Sequence, residues 1–187
     1  MIEVRPVTTR REQREFLNFP LDLYTGNPTF IPPLYMDEKK IFRKDYVYND
    51  CCDSVCFLAR KDGAVVGRIQ GIVQKASNAK RGERRARFCR FDVIDDPAVS
   101  AALFEAVEKW AMQEGMDTLC GPLNFSDLER EGLLVEGFDQ QATFEENYNA
   151  EYYQHHIEAL GYKKEVDWLG FRLYGPEGEE LRCLWKR

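Results

Sequence analysis

The segment that most constrains this chain is residues 84–94, which read as a strand running directly into a helix. Arg84-Arg85-Ala86-Arg87-Phe88-Cys89-Arg90-Phe91-Asp92-Val93-Ile94 alternates side chains and meets Asp95-Asp96-Pro97. Asp96 is placed to cap a helix there, and Pro97 suits its first position. Val99, Leu103, Val107, Trp110 and Ala111 then fall on one apolar face, and Gly115 supplies the left-handed turn that ends the helix. A strand feeding a helix start is the usual geometry for holding phosphate. Here the turn is acidic instead, with no glycine between Gly82 and Gly115.

The flanking segments supply a sheet for that unit. Ile2 and Val4 alternate with Glu3 and Arg5 as a first strand, and Thr9-Arg10-Arg11-Glu12 is a capping box that opens a helix. Pro20 is expected to end or kink that helix. Thr25-Gly26-Asn27-Pro28 reads as a turn, Pro32-Pro33 as extended chain, and residues 35–42 as a short helix. Residues 55–60 and 64–73 flank Asp62-Gly63, a strong hairpin signal, and the strand from Ala64 is expected to pair with that of residues 84–93. The connection 75–87 carries six basic residues against Glu83. Lacking aromatics to stack bases, it is read as a solvated loop rather than a nucleic-acid patch.

Beyond a fifth strand at residues 118–120, Gly121-Pro122 breaks the pattern and a long connection begins. Loops of that length in compact domains are commonly functional. Residues 123–147 hold Asp127, Glu129, Glu131, Glu136, Asp139, Glu145 and Glu146 against Arg130 alone. Leu133, Leu134 and Phe138 are expected to pin the loop over the strand ends while acids such as Glu131 and Glu136 face a cleft and attract a cationic substrate. Asn124 and Ser126, just past a strand end, are neutral hydrogen-bonding candidates for the same ligand, with turn stabilisation as their alternative. In a helix over 150–160, Tyr153, Ile157 and Leu160 share one face and Tyr152 and His156 another, before Gly161. Residues 166–173 read as a sixth strand. Residues 181–185 read as a seventh strand or the start of a second domain after about residue 175.

At 187 residues the chain has the size of one domain. No segment approaches the roughly 20 apolar residues that span a bilayer, and no leader pattern is evident, so the default expectation is cytoplasmic. A net charge of −6 argues against general nucleic-acid affinity. The six cysteines are expected to be reduced thiols, and Cys51-Cys52-x3-Cys56 lacks a paired cluster to complete a metal site.

Gly26-Asn27-Pro28, Ile31-Pro32-Pro33, Arg87-Phe88, Gly121-Pro122-Leu123-Asn124-Phe125-Ser126, Gly132-Leu133-Leu134, Gly137-Phe138-Asp139 and Tyr148-Asn149-Ala150-Glu151-Tyr152-Tyr153 resemble a bacterial family of GNAT-like proteins. The resemblance covers most of the chain. It implies an α/β (α+β) fold: a mixed, mainly antiparallel sheet of six to seven strands flanked by helices and splayed near the fourth and fifth. It also implies acyl transfer from acetyl-CoA or another acyl-CoA to an amine-bearing small molecule. Phe91, Asp92, Val93 and Asn149 would contact the cofactor, and Tyr152 or His156 would protonate its sulfur. GNAT enzymes commonly place a tyrosine four residues before the helix-ending glycine, where this chain has Ile157. The family's Gln/Arg-x-x-Gly-x-Gly/Ala turn is also absent. The alternative expectation is therefore a non-catalytic ligand-binding module that has kept the fold, as one half of a tandem protein.

Overall fold

Asp62 (φ 53°) and Gly63 (φ 86°) adopt the left-handed conformations that a two-residue hairpin turn requires, closing β2 (Cys52–Lys61) onto β3 (Ala64–Gln74). In this computed structural model, which describes residues 1–171, β1 (Ile2–Pro6) pairs antiparallel with β2. β3 pairs antiparallel with β4 (Arg85–Val93), and β4 pairs parallel with β5 (Thr118–Cys120). The result is one mixed, mainly antiparallel sheet in the order β1-β2-β3-β4-β5.

Its strand count falls short of the six to seven expected, with five among the described residues. Residues 166–171 form no strand, and Val166, Trp168, Leu169 and Phe171 are exposed. β5 is three residues long and offers little edge to pair with. Residues 172–173 and the expected strand or second-domain start after 175 lie outside the described residues.

Side chains alternate across the strands, so the sheet buries both faces. Phe57, Ala59, Val66 and Phe88 pack with Val99, Leu103, Phe104 and Val107 of α4 (Pro97–Gln113). Cys56, Leu58, Ile72 and Cys89 meet Phe16 of α1 (Arg10–Leu23) on the other face. A Cβ on Gly71 would come within 2.7 Å of Val107 and Trp110, so α4 lies directly on β3. Asp96 caps α4 by accepting from the Ala98 N–H at 3.0 Å, and Gly115 follows its end at φ 79°.

Two local expectations change. Pro20 does not end α1, which starts at the Thr9–Glu12 capping box and runs on to Leu23. The connection after β3 is not a plain loop: α3 (Lys75–Arg81) forms there, closed by Gly82 at φ 68°. With no buried residue, that helix carries no apolar stripe for a sequence pattern to reveal. Residues 35–42 form α2 (Tyr35–Glu38) and a 3-10 turn (Lys39–Phe42), and α5 (Tyr152–Ala159) closes the molecule against α4.

Candidate functional site

Regular pairing fails around the middle of β4, and a cleft opens there. Between β3 and β4 the register passes from Arg68↔Asp92 to Gln70↔Cys89, which leaves one extra residue in β4. Arg90 sits in this bulge at φ 45°. On the other edge, β5 follows β4 only as far as Arg87↔Cys120. Gly121 then turns at φ 155°, where a Cβ would stand 2.3 Å from the Phe88 carbonyl oxygen, and the Leu123 N–H donates to that carbonyl at 2.8 Å. Beyond Phe88 the edge of β4 borders a cleft of about 590 Å³, counting the space open to solvent. Pro20, residues 30–33 and residues 122–149 supply its other walls.

Charge is concentrated on its floor. Arg90 donates from Nε to Glu38 Oε2 at 2.8 Å, from Nη2 to Glu38 Oε1 at 3.1 Å, and from Nη1 to Asn124 Oδ1 at 2.6 Å and Gln70 Oε1 at 2.8 Å. Arg130 Nη2 reaches Glu38 Oε1 at 2.7 Å. Burial alone would raise the Glu38 pKa, but Arg90 and Arg130 overcome it and hold the carboxyl down at about 2. Arg68 Nε pairs with Asp92 Oδ2 at 2.7 Å, its guanidinium carbon 4.9 Å from the Phe16 ring centre. Arg68 Nη1 also donates to the Phe16 carbonyl at 2.7 Å. That carbonyl is the one a residue at position 20 would bond within the helix, and Pro20 has no N–H to give it. The proline thus leaves an acceptor that anchors a buried arginine.

Tyrosines hold the far end of β4. Tyr153 Oη accepts from the Val93 N–H at 2.9 Å and lies 2.7 Å from Tyr24 Oη, while Tyr152 Oη donates to the Val93 carbonyl at 2.6 Å. Burial, with Asp95 and Asp92 adding, pushes the Tyr152 pKa up to about 12. His156 is buried between Ser100 Oγ at 2.9 Å from Nδ1 and Asp95 Oδ1 at 3.2 Å from Nε2.

Of the residues singled out in the sequence, Phe91, Asp92, Asn124 and Asn149 line the cleft. Asn124 is nevertheless a brace, accepting from Arg90 and donating from Nδ2 to the Arg130 carbonyl at 2.7 Å. Asn149 grips Leu134 through its N–H at 2.8 Å and its carbonyl at 3.0 Å. Val93, Tyr152 and His156 lie toward α4, away from the cleft lining. The acidic loop does not present acids as expected. Ser126, Glu131 and Glu136 are not among the lining residues. Ser126 Oγ accepts from the Leu128 N–H at 3.3 Å, Glu136 is exposed, and the Glu131 pKa is raised by burial and by Asp127. Arg130, the loop's one base, turns inward instead, because Glu38 offers a buried carboxylate. Of the three expected anchors, Leu133 packs on the core, Leu134 is held through its backbone, and Phe138 is half-buried.

Sequence reasoning missed Glu38, Arg68, Arg90, Arg130 and Tyr24. A signal existed for two of them: Arg68 and Arg90 stand within apolar strand segments, and a charge on a buried strand needs a partner.

No family model matches the chain. Protein YghO of Escherichia coli K12 is 33% identical over 168 residues, which is 90% of this chain and 43% of YghO. The bacterial ceramide synthase of Caulobacter vibrioides is 32% identical over 173 residues, 91% of this chain and 45% of the synthase. The chain therefore spans about half the length of the curated relatives it matches. Among solved structures, the tandem GNAT protein from the clavulanic acid biosynthesis pathway superposes with a TM-score of 0.54 at 16% identity, over 86% of this chain and 43% of that one. Glucosamine-6-phosphate N-acetyltransferase from Arabidopsis thaliana gives 0.53 at 9% identity, over 93% and 99%. At such identities the likeness is one of fold. Sheet order, the parting of β4 from β5 and these superpositions agree: the chain has a GNAT-like fold.

Proposed function

We propose that this domain positions a small-molecule amine for N-acylation at the cleft beside β4. The observation that carries the reading is the opening where β5 leaves β4, in a GNAT fold whose sequence relative is named a ceramide synthase, ceramide being an N-acylated amine. An acceptor enters between Phe30 and Ile31 on one wall and Leu133 on the other, and lies against Phe91 and Asp92 at the strand edge. Holding two reactants in register supplies much of the rate in such a transfer, and a proton donor supplies the rest. Tyr152, its pKa pushed up to about 12, keeps its proton at neutral pH, and from the α4 side of β4 it serves the donor's leaving group only where that group replaces the Val93 carbonyl as its acceptor. His156 positions α5 against α4 through Ser100 and Asp95.

Acetyl-CoA in the ordinary GNAT pose does not fit the residues present. The Asp96 side chain already takes the Ala98 N–H at the start of α4, Asp95 stands exposed beside it, and both backbone groups of Val93 are occupied by tyrosine hydroxyls. These filled positions favour a second reading, a binding module without turnover. Incubating the protein with short- and long-chain acyl thioesters and a panel of amines, with mass-spectrometric detection of amides, separates the two. Amide formation that drops at least tenfold in Tyr152→Phe supports transfer; no amide with any pair leaves the binding module.

A further inference from the structure

Among the described residues, the cleft floor holds more positive charge than it neutralises. Three guanidiniums, Arg68, Arg90 and Arg130, meet two carboxylates, Asp92 and Glu38, leaving one positive charge. Arg90 uses all three of its nitrogens on Glu38, Gln70 and Asn124. Arg130 does not: among the described residues its Nε and Nη1 have no acceptor, and neither does Arg68 Nη2. Both residues line the cleft, and their side chains are only 17% and 5% exposed. Burial, together with Arg90 and Arg68, lowers the Arg130 pKa in spite of Glu38, so a further anion would relieve it. Phe30, Ile31, Leu133 and Tyr148 supply the apolar part of the surrounding walls.

We propose that the cleft selects an acceptor carrying an acidic group, a carboxylate or a phosphate, bound by the free N–H groups of Arg130 and Arg68 with its apolar body along Phe30, Ile31 and Leu133. A guanidinium presents paired donors that match the two oxygens of such a group, and the burial of both arginine side chains strengthens the contact. That the anion belongs to an amine acceptor rests on the N-acylation reading. The preference for an anion does not.

Matched pairs test this without any acyl donor: phenylalanine against phenethylamine, leucine against isoamylamine, and O-phosphoethanolamine against ethanolamine. Binding to the 187-residue chain is measured by ligand-observed NMR and calorimetry. The acidic member of at least one pair should bind at least tenfold tighter, and which pair responds tells carboxylate from phosphate. Arg130→Gln should remove most of that preference and Arg130→Lys should keep part of it. Equal or tighter binding of the decarboxylated or dephosphorylated amines, binding of no acid in the panel, or a preference unchanged in Arg130→Gln overturns the proposal. Should Arg130→Gln not fold, the matched pairs on the unaltered chain and on Arg130→Lys decide it. Anion preference without amide formation would sink the acylation reading and leave the anion site; amide formation from simple amines without anion preference would do the reverse.

Discussion

On the α1 side of β4, Arg68, Arg90 and Arg130 gather around two acids and, among the described residues, leave donors free at a cleft. On the α4 side, near the end of the same strand, the polar positions are filled by the chain itself: Val93 by two tyrosines, the helix start by Asp96, and Asp96 in turn by Lys61 Nζ at 2.9 Å. One side is built with donors to spare and the other is closed on itself. A shared fold therefore does not carry a shared ligand pose; the deciding factor is which backbone and side-chain donors remain uncommitted.

The strongest way to break the cationic side is Glu38→Gln. It leaves Arg90 and Arg130 buried without their carboxylate and should cost about 3–5 kcal/mol in urea unfolding, as removing one partner of a buried ion pair does. The same variant sharpens the pH dependence. The Glu38 pKa is depressed from 4.5 to about 2 in the folded protein, so its contribution is present above pH 4.5 and is lost as pH falls toward 2. Stability of the parent should decline across that window more steeply than that of Glu38→Gln; parallel profiles would contradict the assignment.

On the closed side, Tyr153→Phe removes the acceptor of the Val93 N–H in a fully buried setting. The expected loss is about 1–3 kcal/mol, and thermal unfolding reads it. The filled helix start predicts weak binding of acetyl-CoA. A unit charge about 8 Å from a like charge costs about 2 kcal/mol at an effective dielectric of 20, against about 0.3–1 kcal/mol gained at a helix start. Pairing with Lys61 and the exposure of Asp95 reduce that repulsion, so Asp95→Gly with Asp96→Gly should raise affinity about tenfold at most. Calorimetry giving the parent a micromolar dissociation constant, with pyrophosphate seated on the amides of residues 95–99, would erase the contrast between the two sides.

The smallest expected effect concerns the loop between them. Asn149→Ala frees Leu134 from two hydrogen bonds and should cost about 1 kcal/mol while speeding hydrogen exchange at the Leu134 amide. Unchanged exchange there would mean the loop is held by Leu133 packing alone.

Much of the frame is legible from short-range chemistry. Asp62-Gly63 specified its hairpin, Thr9 and Glu12 the start of α1, and Asp96-Pro97 the start of α4, because caps and tight turns are settled by residues a few positions apart. Those same rules left open whether Pro20 ends or kinks α1; the helix runs past it, and the proline's missing hydrogen bond is compensated by Arg68, a residue 52 positions away from the carbonyl it serves. They also pointed to the acids of the 123–147 loop, when the charged loop residue that lines the cleft is its single base.

The amino-acid sequence by itself thus determined where α1 and α4 begin, how the hairpin closes, and that the turn after β4 is acidic rather than glycine-rich. Only the tertiary structure decided which charges are buried together. Glu38 meets Arg90 and Arg130 across 52 and 92 residues, and one extra residue in β4 sets where Arg90 points. Because side chains alternate with a period of two, a single-residue bulge re-aims the side chains beyond it, and no local pattern records where a distant partner will stand.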